Sequence, residues 1–345
     1  VTTLSLIIQP AKSLRHHHRP AVVGRTLRLL LVLLVAGVIA GLLIPSPRLT
    51  PADLWDAISD SDSLGYLLIV SFRLPRILLA ASVGAAFGCA GSLLQRLLHN
   101  PLASPDVMGL NAGASLAAMS SILFLGWSGL MVSVAAFLGA MTVVIVTLAI
   151  AGPQTSLHAS TRLVLIGVAL SALGQALIFF VTTLSPAHQV RDILLWISGS
   201  LNSFSWQRVG IIIPILIVMT LALIMLRPTI EVLDAGHEIA QGLGIPARLG
   251  PFAILMSVAV LVAAASAAAG PITFVAFVSG PIARWLIHGR HSMLCSALVG
   301  SVLVVWCDLI AQILPSGPYP VGVITGALGA PILLLLLLRG HQEAS

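Results

Sequence analysis

Only 8% of this 345-residue chain is charged and 58% is hydrophobic, whereas an ordinary soluble domain carries roughly 25% charged residues. A mean hydropathy of +1.07 leaves too little polar surface to wrap a water-soluble core, so the chain is expected to lie in a bilayer. The formal net charge of +6 resides at the ends of apolar runs, a topology signal, and no nucleic-acid partner is expected.

The chain opens with a basic tail, 1–26, whose His16–His18 cluster reads as solvated. A membrane-crossing helix takes about 20 mainly apolar residues. Ten segments meet that test, at 27–44, 74–98, 107–126, 130–151, 162–185, 209–226, 251–269, 272–287, 293–314 and 320–338. They form one transmembrane domain, 27–339, followed by a short tail, 340–345. The expected fold is therefore all-α, a bundle of about ten spans. With the N-terminus inside, twelve Lys and Arg residues fall on the cytoplasmic side and five outside. That asymmetry places both termini in the cytoplasm.

Before the second segment stands Arg73-Leu74-Pro75-Arg76. Pro75 suits a first helical turn, where the missing N–H costs nothing. Two arginines at a helix N-terminus oppose the macrodipole, which points to an anionic partner outside. Gly84, Gly88 and Gly91 then make a small-residue row, so this helix should lie inside the bundle. Asn100-Pro101-Leu102-Ala103-Ser104-Pro105-Asp106 cannot continue a helix, and Asp106 is positioned to cap the next one from Val107.

The stretch 192–201 is too short to span and reads as a surface or re-entrant helix. The polar segment 231–250 is the natural docking element for a cytoplasmic partner, with Asp234 capping a short helix through Glu238 and Leu243 that Gly242, Gly244 and Pro246 terminate. Gly270-Pro271 breaks the eighth span, and irregular backbone at that depth must be buried or line a cavity. Asp308 is the clearest ionisable residue near a span centre. Cys89, Cys295 and Cys307 have no paired spacing, which argues against a disulfide framework or a zinc motif.

Other function classes fail on residues. An ion-coupled carrier needs ionisable groups at mid-membrane, and these spans hold almost none. A P-loop needs Lys after its glycines, yet the sole lysine is Lys12. His237-Glu238 begins a zinc-protease motif that Gln241 breaks. No catalytic residue, resident metal or cofactor is expected in this chain.

Taken in order, RLPR (73–76), Leu94-Gln95, NPLASPDVMG (100–109), RLVLIGVALSA (162–172), LLWISGSL (194–201), A-x-x-LG (240–244), GPITFVAFV (270–278), Asp308 and PVGVITGALGAP (320–331) closely resemble the FecCD-type permease family, whose importers carry vitamin B12, haem and ferric siderophores. The resemblance implies a permease subunit in the bacterial cytoplasmic membrane and no enzyme activity of its own. It implies a second permease, two ATPase subunits that bind ATP and magnesium, and an external binding protein delivering the substrate. SPDVMG and W-x-x-GSL lean towards ferric siderophores over vitamin B12.

By position, Arg73 and Arg76 match arginines that dock the binding protein. Gln312 stands where many relatives carry a third arginine. Ser160 and Thr161 match the polar pair of a cytoplasmic gate. Asp234, Glu238, Ala240, Leu243, Gly244 and Pro246 fall in the segment matching the ATPase-coupling helices. Asn100, Pro101, Gly270, Pro271 and Asp308 carry motif or packing roles. Gly280-Pro281 replaces a common Pro-His pair.

Overall fold

The structure, a computed structural model, describes residues 20–43, 63–152, 159–234, 242, 249–315 and 319–342. Helix α1 runs Pro20–Leu43, α2 Leu74–Leu97, α3 Leu110–Leu125, α4 Leu130–Ala151, α5 Ala159–Leu184 and α6 Ala187–Ile197. Then come α7 Trp206–Asp234, α8 Leu249–Ala269, α9 Val275–Leu286, α10 Met293–Ile313 and α11 Val321–Gln342. No strand occurs among the described residues. Seven helical stretches are long and apolar enough to cross a membrane, and three shorter apolar helices, Leu110–Leu125, Val275–Leu286 and Val321–Leu335, accompany them.

α2 is the mast of the bundle. Its glycines carry no Cβ on the side facing α10 and α9, so the backbones touch. A Cβ on Gly84 would collide with the Gly300 carbonyl, one on Gly88 with that of Ser296, and one on Gly91 with that of Ala276. This is the close approach that small-residue rows permit where lipid supplies no hydrophobic drive between helices. Leu79, Val83, Phe87, Leu93 and Leu94 fill the remaining space against Val258, Leu261, Val262 and Val304. Around this centre, α3 packs on α4 through Gly113 and Gly139, and α1 on α10 through Trp306, whose indole N–H donates to the Leu33 carbonyl at 3.1 Å. The outer faces of α5 and α7 expose Leu165, Phe179, Val218 and Met225, apolar surface that acyl chains would cover.

Several element boundaries differ from the sequence expectation. The second helix begins ten residues earlier, with a turn at Leu64–Tyr66 and a π-helical stretch Leu67–Arg73 leading into α2. Arg73 and Arg76 therefore lie within a continuous helical rod, where the argument from an exposed positive helix end loses its premise. The third helix starts at Leu110, with Gly109 at φ 79° as its N-cap, so Asp106 is not a cap. α7 continues to Asp234 through Pro228, so Asp234 ends a long helix, and the short helix expected after it lies outside the described residues. The Gly270-Pro271 break is present: α8 stops at Ala269, Gly270 takes φ 72°, and α9 starts at Val275 after Phe274 at φ 66°. The short helix expected near 192–201 is α6.

Candidate functional site: two clamped ends and a broken span

Antiparallel neighbours sort the polar groups into two ends. Arg73, Arg76, Asp308 and Gln312 lie at one, with the Leu42 carbonyl; Arg96 and Asp234 meet at the other.

At the first end, Arg76 grips Asp308 in a forked pair. Its Nε donates to Oδ2 at 2.9 Å and its Nη2 to Oδ1 at 2.8 Å. Gln312, one turn on from Asp308 along α10, donates its amide N–H to Oδ2 at 2.7 Å. Arg76 also lies 5.8 Å from the centroid of the Phe204 ring, which stacks edge-on with Phe72. A buried carboxylate is tolerated only when its charge is matched and its lone pairs are used, and here both conditions hold. Arg73 is held by donation to the Leu42 carbonyl at the end of α1. The compensation that the sequence assigned to an external anion is thus internal: an acid for Arg76, a carbonyl for Arg73. Gln312, expected at a docking surface, serves the same carboxylate.

Asn100 and Pro101 follow the foot of α2, while Gly270 and Pro271 follow the opposite end of α8. The Asn100 side chain accepts from the Leu102 N–H at 2.9 Å and shapes the turn after α2. Behind it, Asn111 donates to the Asp106 carboxylate and accepts from the Ser266 hydroxyl at 2.7 Å, joining the loop to α3 and α8. Burial raises the Asp106 carboxyl to about 6, while bonds from Ser104, Asn111 and the Phe274 backbone act in the opposite direction. Asp106 therefore reaches the left-handed residue that begins α9. Gln95 on α2 adds a bond to the Phe277 carbonyl at 3.1 Å. The broken span is tied to α2, α3 and the α2–α3 loop by side chains, because its own backbone ladder is interrupted.

At the second end Arg96, buried near the foot of α2, donates through Nε and Nη2 to the carboxylate of Asp234. Leu97, Ile230, Leu233 and Ile254 surround the pair. Sequence reasoning counted Arg96 only as a topology charge; its position at the foot of an otherwise apolar helix was the available signal. Asp234 lies at the entrance to the expected coupling segment, while Glu238, Ala240, Leu243, Gly244 and Pro246 fall outside the described residues. So does the His16–His18 cluster. Ser160 and Thr161 occupy the first turn of α5, where Thr161 is exposed. Cys89, Cys295 and Cys307 are free thiols.

Comparison with known proteins places this geometry. Residues 32–339 match the FecCD transport family. The chain is 37% identical to the Fe(3+) dicitrate transport system permease protein FecD of Escherichia coli (strain K12), over 79% of this chain and 86% of that one. It is 33% identical to the Fe(3+)-citrate import system permease protein YfmE of Bacillus subtilis (strain 168), over 94% and 97%. It is 34% identical to the vitamin B12 import system permease protein BtuC of Vibrio cholerae serotype O1 (strain ATCC 39315 / El Tor Inaba N16961), over 92% and 95%. A solved structure described as an inward-facing conformation of a metal-chelate type ABC transporter superposes with TM-score 0.78 at 26% identity, covering 92% of this chain and 99% of that one.

Proposed function

Since the chain belongs to the FecCD transport family, the permease components of ABC importers, we propose that it carries a ferric siderophore or ferric citrate-like chelate across the bacterial cytoplasmic membrane. A second permease copy or paralogue, two ATPase subunits binding ATP and magnesium, and an external binding protein complete the machine. The seven long and three short apolar helices support a reading of ten crossings with both termini on the ATPase side.

The observation that carries the mechanism is the clamping of α2 at both ends. The pair Arg96–Asp234 fastens the mast to the base of the 235–248 segment, where the ATPase is proposed to push. The pair Arg76–Asp308 fastens it to α10 at the face where the binding protein is proposed to dock. Movement of the coupling segment would then pull on α2 and the broken span together. Docking falls mainly on the Arg73 side of that face, because the Arg76 side chain is only 13% exposed. Arg76 and Gln312 order the surface. Ser160 and Thr161, opening α5, form the cytoplasmic gate in this reading.

Iron chelates are favoured over vitamin B12 because the ferric dicitrate permease is the most identical of the relatives named above and the SPDVMG stretch leans the same way. Coupling to an ion gradient is disfavoured, because Asp308 is already neutralised by Arg76. In a host stripped of its own chelate importers, this chain with its partner subunits should restore uptake of ferric chelates and not of cobalamin. Restoration of cobalamin uptake alone would move the assignment to the vitamin B12 branch.

A further inference from the structure

Arg208 has no role in the clamps, and its surroundings are unusual. It sits in the first turn of α7, half-buried, with one guanidinium N–H donating to the Ala268 carbonyl at 2.7 Å. No carboxylate pairs with it among the described residues. Its side chain separates two hollows. One is a cavity of about 550 Å³ of mixed lining, with Ser128, Asn202, Ser203 and Gln207 beside Ile122 and Trp196 in its wall. The other is an apolar groove of about 410 Å³ between α4, α7 and α8, lined by Phe137, Leu138, Ile211, Ile215, Ala264 and Ala268. The alanines of α8 give this groove its depth. Along α7 it extends from Arg208 to Ile215, about 10 Å at 1.5 Å per residue. Trp127, in the wall of the first cavity, and Trp206, the first residue of α7, are exposed, and tryptophan collects at the headgroup level of bilayers.

We propose that this is a phospholipid site: the phosphate sits against Arg208 and the start of α7, and one acyl chain fills the groove. A half-buried guanidinium whose one hydrogen bond among the described residues goes to a carbonyl is matched by an anion, and the α7 N-terminus adds positive potential. The groove below is apolar, with Met131, Val134 and Leu138 of its α4 wall exposed, which a small polar anion cannot use and an acyl chain can. The lipid would brace α7 against α4 and α8 beside the broken span, so its presence bears on transport without touching the substrate route.

Native mass spectrometry of the purified full chain tests this, with phosphatidylglycerol added stepwise in mild detergent. The wild type should retain one phosphatidylglycerol per chain through detergent exchange. Arg208→Gln should weaken retention at least tenfold. Val134→Trp, which fills the groove from an exposed position on α4 and leaves Arg208 in place, should do the same, and carries the test if the first variant does not fold. Glycerol 3-phosphate, which lacks acyl chains, should not displace the lipid. Equal retention by wild type and Val134→Trp overturns the proposal. Displacement by glycerol 3-phosphate would also overturn it, marking a simple anion site at Arg208, as would a second copy of the chain binding in place of lipid.

Discussion

Replacing Arg76 by alanine should be among the most destabilising single changes in this chain. Asp308 is 3% exposed, and Arg76 provides two of its three side-chain partners, at 2.8 and 2.9 Å. Removing the guanidinium leaves a buried carboxylate with only the Gln312 amide. Breaking one partner of a buried pair costs about 3–5 kcal/mol. The double variant Arg76→Met with Asp308→Leu removes both charges and keeps the volume filled, so it should recover most of that loss. Thermal unfolding of the detergent-solubilised permease across the four-member cycle gives the coupling energy. A coupling below about 1 kcal/mol would mean the pair is a surface ornament, and the clamp at this end would fail. Affinity for the binding protein, measured on the same variants, separates the two roles: a clamp lowers stability first, a docking residue lowers affinity at unchanged stability.

At the opposite end, Asp234→Asn should uncouple ATP hydrolysis from uptake while the complex still assembles, and the exchange Arg96→Asp with Asp234→Arg should restore part of the coupling. ATPase activity that tracks uptake as tightly as in wild type would contradict this. Gly91→Ala should cost about 1–3 kcal/mol by overpacking against the Ala276 backbone, read as a lowered unfolding midpoint; no change would mean α2 and α9 are not in backbone contact. Asp106→Asn tests the loop. With its folded pKa near 6, above the ordinary 3.8, the protonated form is favoured in the fold, so stability is full below about pH 4 and falls as pH rises through 6. The variant lacks this slope, so its advantage over wild type should grow between pH 4.5 and 7, by roughly 3 kcal/mol at most; parallel curves would count against it. Ser160→Trp should block uptake at normal expression if the start of α5 is the gate, and uptake at the wild-type rate would place the gate elsewhere.

Much of this architecture was legible in the sequence because lipid makes few demands: length and hydropathy suffice to place an apolar helix. The glycines of α2 announced its interior position, and Gly270-Pro271 announced the broken span. Boundaries were less legible where tertiary contacts override local signals. Pro75 looked like a helix start, yet Leu64–Arg73 precedes it as helix and π-helix. The span expected at 209–226 continues to Asp234 through Pro228, because Pro removes one N–H without barring a helix whose neighbours absorb the defect. The partners of Arg76 and Arg96 were invisible, since Asp308 lies 232 residues from one and Asp234 lies 138 from the other. A long-range pair leaves no periodic trace in a single sequence. The same holds for Arg208, whose meaning depends on what α4 and α8 place around it.

The central claim, an importer permease driven by a partner ATPase, is tested most directly by radiolabelled ferric-chelate uptake into proteoliposomes. These would hold this chain, its partner permease and the ATPase, with loaded binding protein outside and ATP inside. The account predicts uptake that requires ATP, magnesium and the binding protein together, and that persists when proton and sodium gradients are collapsed. Uptake driven by a gradient in the absence of ATP would contradict it.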